Sequence, residues 1–301
     1  MRDMRQATGG AAGRRRSGSL LPAVLLASLL VPDMAGAQGM RAAYQAHVGG
    51  MSPLKGQAEL VMEAGRYSLR IDAETDGFVG RLLSWQSRVT SLGTLARGVP
   101  RPELYELSSL WRGEPRDVTL RYDARGGVQV TAVPPPEEDE REPVPDELQR
   151  GTLDPVTAML AVMLGAGEGR GCAGTMPVYD GRRRYDMVFA DLGMDRIAPS
   201  GYSAFSGAAR RCQVTYKPIA GYSRKPPPSL MGQRLFARSE GDGEPRPPVE
   251  VWFAPVTEGG PPVPVRIETE SGLGGVVVHL TGASPLPRPV SASGTRPAAK
   301  P

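Results

Sequence analysis

Histidine and cysteine are scarce in this chain of 301 residues, with two of each, and lysine occurs at only four positions. The shortage excludes a good deal. His47 and His279 have no local Ser, Cys or carboxylate signature around them, so general-base chemistry has little to build on and both read as ordinary strand residues. Neither H-E-x-x-H nor G-x-S-x-G occurs. Ser52 and Lys55 match S-x-x-K, but they lie in a hairpin loop without the companion S-D-N and K-T-G elements. Two cysteines make no zinc site without further ligands. The glycine clusters at 165–171 and 272–275 follow a helix or join two strands, which is not the strand-to-helix setting of a phosphate loop. Asp72 and Glu74 fall on the polar face of one strand, where solvation accounts for them. The expectation is a protein without catalytic residues, cofactor or metal, with a hydrolase ranked last.

Long apolar runs are also missing after residue 31. Before it, Arg14 to Arg16, the apolar stretch Leu20 to Val31 and Ala35-Gly36-Ala37 form the three parts of a secretory signal, with cleavage expected after Ala37. As a helix the stretch would rise roughly 18 Å, short of a hydrocarbon core of about 30 Å, so no stable transmembrane span is expected. No cysteine follows the site to carry a lipid. Residues 1–37 hold five arginines and two aspartates, so the formal charge of +4 falls to about +1 once they are removed. A nucleic-acid partner needs a stronger electrostatic footprint than that. The expected location is the periplasm.

What the chain has in abundance is alternation. Tyr67, Leu69, Ile71 and Ala73 are interleaved with Ser68, Arg70, Asp72 and Glu74, a period of two that puts one face in a core and one in water. The pattern recurs through 58–62, 118–122 and 128–130, and again through 185–189, 212–216, 249–253, 263–267 and 276–280, with Gly49-Gly50, Gly65, Gly126-Gly127, Gly193 and Gly259-Gly260 as punctuation. Between the two sets, Asp154 suits an N-cap and Pro155 a first helical position, opening an apolar helix that ends at Gly165 and is apolar nearly all round, hence buried. Phe78 to Trp85 reads as a short helical turn. Residues 134–150 read as a solvated acidic and proline-rich linker, 222–248 as a flexible loop and 284–301 as a disordered tail, leaving one domain over 38–283. Two related sheets around one helix remain an open arrangement.

An exported chain with an even count of two cysteines is expected to join Cys172 to Cys212, in a structural role because a redox pair would sit as C-x-x-C. Between them, Asp180-Gly181 signals a hairpin turn, and alternation carried back from Tyr185 places Arg183 on the apolar face with Tyr185, Met187 and Phe189. Arg183 then has two readings, a satisfied ion pair or, with Tyr185, the rim of a site for an acidic head group.

The block Cys172, Thr175, Val178 to Asp186, Gly207 and Cys212 to Tyr222, with Trp111 to Arg116, Asp154-Pro155 and Pro264 to Ile267, resembles the proteobacterial exported family known as domain of unknown function 3108, over most of residues 42–282. The resemblance implies a mainly β protein, an antiparallel β clam or half barrel wrapped around one buried α-helix, and carries no catalytic residues with it. The function expected is a periplasmic non-enzymatic binding protein of the cell envelope, its inner face including Leu69, Ile71, Val214, Val265 and Val278 sheltering a lipid or other apolar ligand. The alternative is an envelope interaction or assembly factor whose helix fills the clam.

Overall fold

A computed structural model describes residues 38–135, 141–222, 247–271 and 274–286. The stretch expected to be an export signal, residues 136–140, 223–246, 272–273 and those from 287 lie outside the described residues.

Short connections between alternating segments make sequence neighbours into sheet neighbours. Seven strands run up and down first: β1 (Gln38–Val48), β2 (Met51–Glu63), β3 (Arg66–Thr75), β4 (Trp85–Ala96), β5 (Val99–Trp111), β6 (Glu114–Tyr122) and β7 (Val128–Val133). Six follow: β8 (Gly174–Tyr179), β9 (Arg184–Ile197), β10 (Gly207–Ala220), β11 (Val249–Pro255), β12 (Pro262–Ser271) and β13 (Gly274–Pro285). Among the described residues three helices interrupt them, α1 (Gly77–Leu82), α2 (Asp146–Gln149) and α3 (Pro155–Gly167). The two meanders are not separate sheets. β1 pairs antiparallel with β13, so all 13 strands form one open, half-barrel-like antiparallel sheet with β7 and β8 at its ends.

Register turns alternation into layers. Leu60, Leu69, Ser91, Tyr105 and Leu120 stand opposite one another across β2 to β6, and every one is buried. Ala58, Ile71, Val89, Leu107 and Val118 form the next row. On the opposite face Asp72 is held by Arg70 and Arg88. Trp252 is the exception, an outer-face aromatic that is nonetheless buried: the guanidinium groups of Arg211 and Arg266 lie 5.2 and 5.7 Å from its ring, and its Nε1 donates to Asp195 at 2.9 Å. Gly193, which the sequence suggests as a turn, lies inside β9 instead. Its φ of +86° falls where Arg210 pairs with Met194 but Cys212 with Asp191, the signature of a bulge.

The two ends of the sheet are clasped by the arginine-rich block. Asp180 Oδ1 accepts from the N–H groups of Arg182 and Arg183, closing the turn, while the Arg182 guanidinium donates to the carbonyls of Val133 and Pro134 at the far end of the sheet. Gly181 seats this turn on β6. Its φ is +89°, and a Cβ there would come within 2.3 Å of Val118 Cγ1. The chain entering α3 covers the β8 edge through Leu153, whose N–H donates to Pro177 and whose carbonyl accepts from Tyr179. The acidic stretch is less solvated than its composition suggests: Val144 is buried and Asp146–Gln149 makes a helical turn.

α3 packs against β5, β8, β11 and β12 and starts as its sequence predicts. Asp154 is fully buried; its Oδ1 accepts from the N–H groups of Val156 and Thr157 at 3.0 and 2.8 Å, and its Oδ2 from the hydroxyls of Thr157 and Ser91 at 2.6 and 3.1 Å. With the Thr157 proton committed to Asp154, the Tyr67 hydroxyl, 2.7 Å from Thr157 Oγ1, donates to it. One cap thus joins the helix to β3 and β4. The disulfide secures the other end: Cys172, in the connection from α3 to β8, bonds Cys212 on β10, crossing over β9. Asp191 on β9 lies beside it, accepting from the N–H groups of Cys172 and Gly193 and from Arg210.

Asp154→Ala should lower unfolding free energy by about 2–4 kcal/mol in urea titration, from the lost N-cap and the donors stranded around it. Cys172→Ser with Cys212→Ser opens a loop with a sequence separation of 40 and should cost about 3–4 kcal/mol in the chain-entropy model; reduction should have no effect on that variant. Burial raises the Asp191 carboxyl, but its two N–H donors and Arg210 outweigh this and hold it below the usual carboxylate value. Its folded state therefore binds fewer protons than the unfolded chain in acid, so its contribution is complete above about pH 4 and is lost as the pH falls further. Asp191→Asn should flatten the fall of the melting temperature over that acidic range.

Candidate functional site

Facing α3, the inner side of the sheet carries small residues where its middle rows carry large ones. Ala42, Ala46, Gly56, Ala58 and Ala73 lie on β1, β2 and β3, whereas the helix presents Pro155, Val156, Met159 and Met163. Truncated side chains on one wall leave a gap, and the result is a cavity of about 480 Å³, within the usual range of small-molecule sites. Apart from Lys55 and Gln57 its wall is apolar or aromatic. Burial pushes the phenols of Tyr44 and Tyr185, which both line it, well above the ordinary tyrosine value. They stay neutral at physiological pH and keep their O–H donors.

Of the inner-face residues expected to line a cavity, Leu69, Ile71 and Val278 do so, as does Tyr185. Val214 and Val265 do not. They are 1% and 0% exposed, closed in the core and not among the residues that line the cavity. Arg183 is not among the lining residues either. β9 begins at Arg184, so the alternation does not reach back to residue 183; the side chain belongs to the turn, its Nε 2.9 Å from Asp180 Oδ2. The ion-pair reading of Arg183 is the one the geometry bears out. The sequence reading missed Tyr44, Trp85, Met159 and Tyr216 in the wall. Tyr44 and Tyr216 carried the alternation signal, while the helical face presenting Met159 had none, since α3 is apolar nearly all round.

A second concavity, of about 660 Å³, is of mixed character and is lined by Gln45, Asp72, Glu74, Gln86 and Arg88 among others. The two histidines are brought together across β1 and β13, their ring centroids 5.5 Å apart, with Tyr202 5.0 Å from His47. His47 Nδ1 lies 3.0 Å from Ser52 Oγ in the exposed β1–β2 hairpin, and neither residue lines the cavities described above. Burial, then Arg266 and His47, lower the pKa of His279. Among the described residues no group of three or more His, Cys, Asp or Glu is placed to hold a metal ion, and no helix is long and apolar enough to cross a membrane.

Among solved structures the chain is similar to a beta-barrel-like protein of domain of unknown function DUF1849 from Brucella abortus, at 12% identity over 83% of this chain and 98% of that one, with a TM-score of 0.48. Comparison with curated proteins finds no match. A family model does match, over residues 43–281, which include the cysteine-bracketed block, α3 and nearly all of the sheet, and the chain therefore belongs to the family described as Protein of unknown function (DUF3108).

Proposed function

We propose that this DUF3108 protein is a non-enzymatic binding protein of the cell envelope, exported to the periplasm by its N-terminal signal, whose sheet folds round α3 to shelter an acyl chain or similar apolar ligand. The observation that carries this reading is the apolar cavity of about 480 Å³ between sheet and helix. An apolar wall with a few polar groups suits a ligand that is mostly hydrocarbon. Tyr44 and Tyr185 would offer neutral O–H donors to an ester or acid carbonyl.

Native mass spectrometry of protein recovered gently from the periplasm should show a stoichiometric lipid. Ala58→Trp, which fills the cavity from the β2 wall, should weaken binding of a fluorescent fatty acid at least tenfold while shifting the urea midpoint little. Protein recovered empty, and unable to take up the probe, would overturn the reading and leave the helix as simple core filling.

A further inference from the structure

The concavity of about 660 Å³ lies on the outer face of the sheet, and register lays it out in two rows. Gln45, Lys55, Glu74 and Gln86 stand opposite one another across β1 to β4, and Gln57, Asp72, Arg88 and Ser108 across β2 to β5. All five strands have a neighbour on both sides, so their backbone N–H and C=O groups are committed to the sheet. Only side chains are left to read a ligand.

Charge narrows the kind of ligand. Lys55 pairs with Glu74 at 3.1 Å and Arg88 with Asp72 at 2.6 Å, so the two cations and two carboxylates of the lining cancel. The charges next to them, Asp76 on Lys55 and Arg70 on Asp72, cancel as well. A phosphate, a polyanion or a cationic peptide finds no net charge to meet. Amides and hydroxyls remain. Gln45 donates from Nε2 to the Leu54 carbonyl and Gln57 from Nε2 to Glu59 Oε1, which leaves each amide oxygen to accept. The side chains of Gln86 and Ser108 have no hydrogen-bond partner among the described residues and can both donate and accept.

An exposed ring stands at the β13 end. Tyr202, in the connection from β9 to β10, is 64% exposed, yet it is held in place. The Ala204 N–H donates to the Leu280 carbonyl at 2.8 Å, and the Tyr202 ring stacks on His279 with centroids 6.0 Å apart and planes 22° from parallel. His279 stands opposite Gln45 across β13 and β1, and Thr281, further along β13, also lines the concavity. A fixed aromatic ring beside amides and hydroxyls of no net charge matches the chemistry of a sugar, whose C–H faces lie on the negative face of an aromatic ring and whose hydroxyls take both donors and acceptors.

We propose that this outer concavity binds a neutral glycan chain, with Tyr202 as its stacking platform and Gln45, Gln57, Gln86 and Ser108 as partners for its hydroxyls. The inference goes beyond the apolar-ligand reading and stands without it, since Tyr202, Gln86 and Ser108 do not line the apolar cavity.

The chain from residue 38 onward carries every described element and is the form to test. Calorimetry with chitohexaose, cellohexaose and maltohexaose as neutral probes, and with hexagalacturonate as the charged counterpart, reads the site. At about 10 mM, enough to fill a site of millimolar affinity, at least one neutral hexamer should bind and hexagalacturonate should not. Preference for chitohexaose assigns an N-acetylated glycan, and preference for either of the others a plain glucan. Tyr202→Ala should weaken that binding by about tenfold or more, whereas Tyr202→Phe should retain it. Gln86→Ala with Ser108→Ala should weaken it too, and none of these exposed substitutions should shift the urea midpoint. Binding of no neutral hexamer, binding of hexagalacturonate alone, or undiminished binding by Tyr202→Ala overturns the glycan site.

Discussion

A carboxylate with no access to water sets the geometry of this protein. Asp154 accepts four donors, two from the backbone of the helix it starts and two from hydroxyls. Desolvation pushes its pKa up, and the donors oppose that shift. Because one of those hydroxyls is Ser91 on β4, and Tyr67 on β3 completes the chain through Thr157, the cap fixes the helix start against the sheet. A polar network at this depth is costly unless complete, which makes it specific about position. Apolar packing alone would let a helix that is apolar all round rotate or slide.

The cavity follows from that anchoring. With α3 held at Asp154 at one end and its C-terminal connection stapled through Cys172 to β10 at the other, the helix cannot settle into the shallow wall of Ala42, Ala46, Gly56, Ala58 and Ala73. Val214 and Val265, on β10 and β12, are sealed in the core instead. One helix therefore borders both closed core and an apolar space. The Asp180–Arg184 block keeps the sheet ends in place to match: Arg182 spans to Val133, Arg183 pairs with Asp180 and Arg184 with Asp186. The arginines of the cysteine bracket are structural clasps.

Much of the architecture was legible because sheet alternation and helix capping are local. Strand positions such as Tyr67 to Ala73, the Asp154-Pro155 helix start and the Cys172–Cys212 pair all follow from neighbouring residues or from counting. The misplacements occur where a local rule was carried past its element. Arg183 was given a face by extending β9 one residue too far, and Gly193 a turn where a bulge absorbs its positive φ. Composition alone hid the buried Val144 in the acidic stretch.

By itself the sequence determined which side chains point inward, because a strand's period of two is a property of the backbone. Whether an inward residue meets core or empty space depends on what stands opposite, and only the tertiary structure decided that. Leu69 and Val265 have the same alternation and the same apolar character, yet one borders the cavity and the other is sealed. The difference is what the capped and stapled helix places opposite each of them on one continuous sheet.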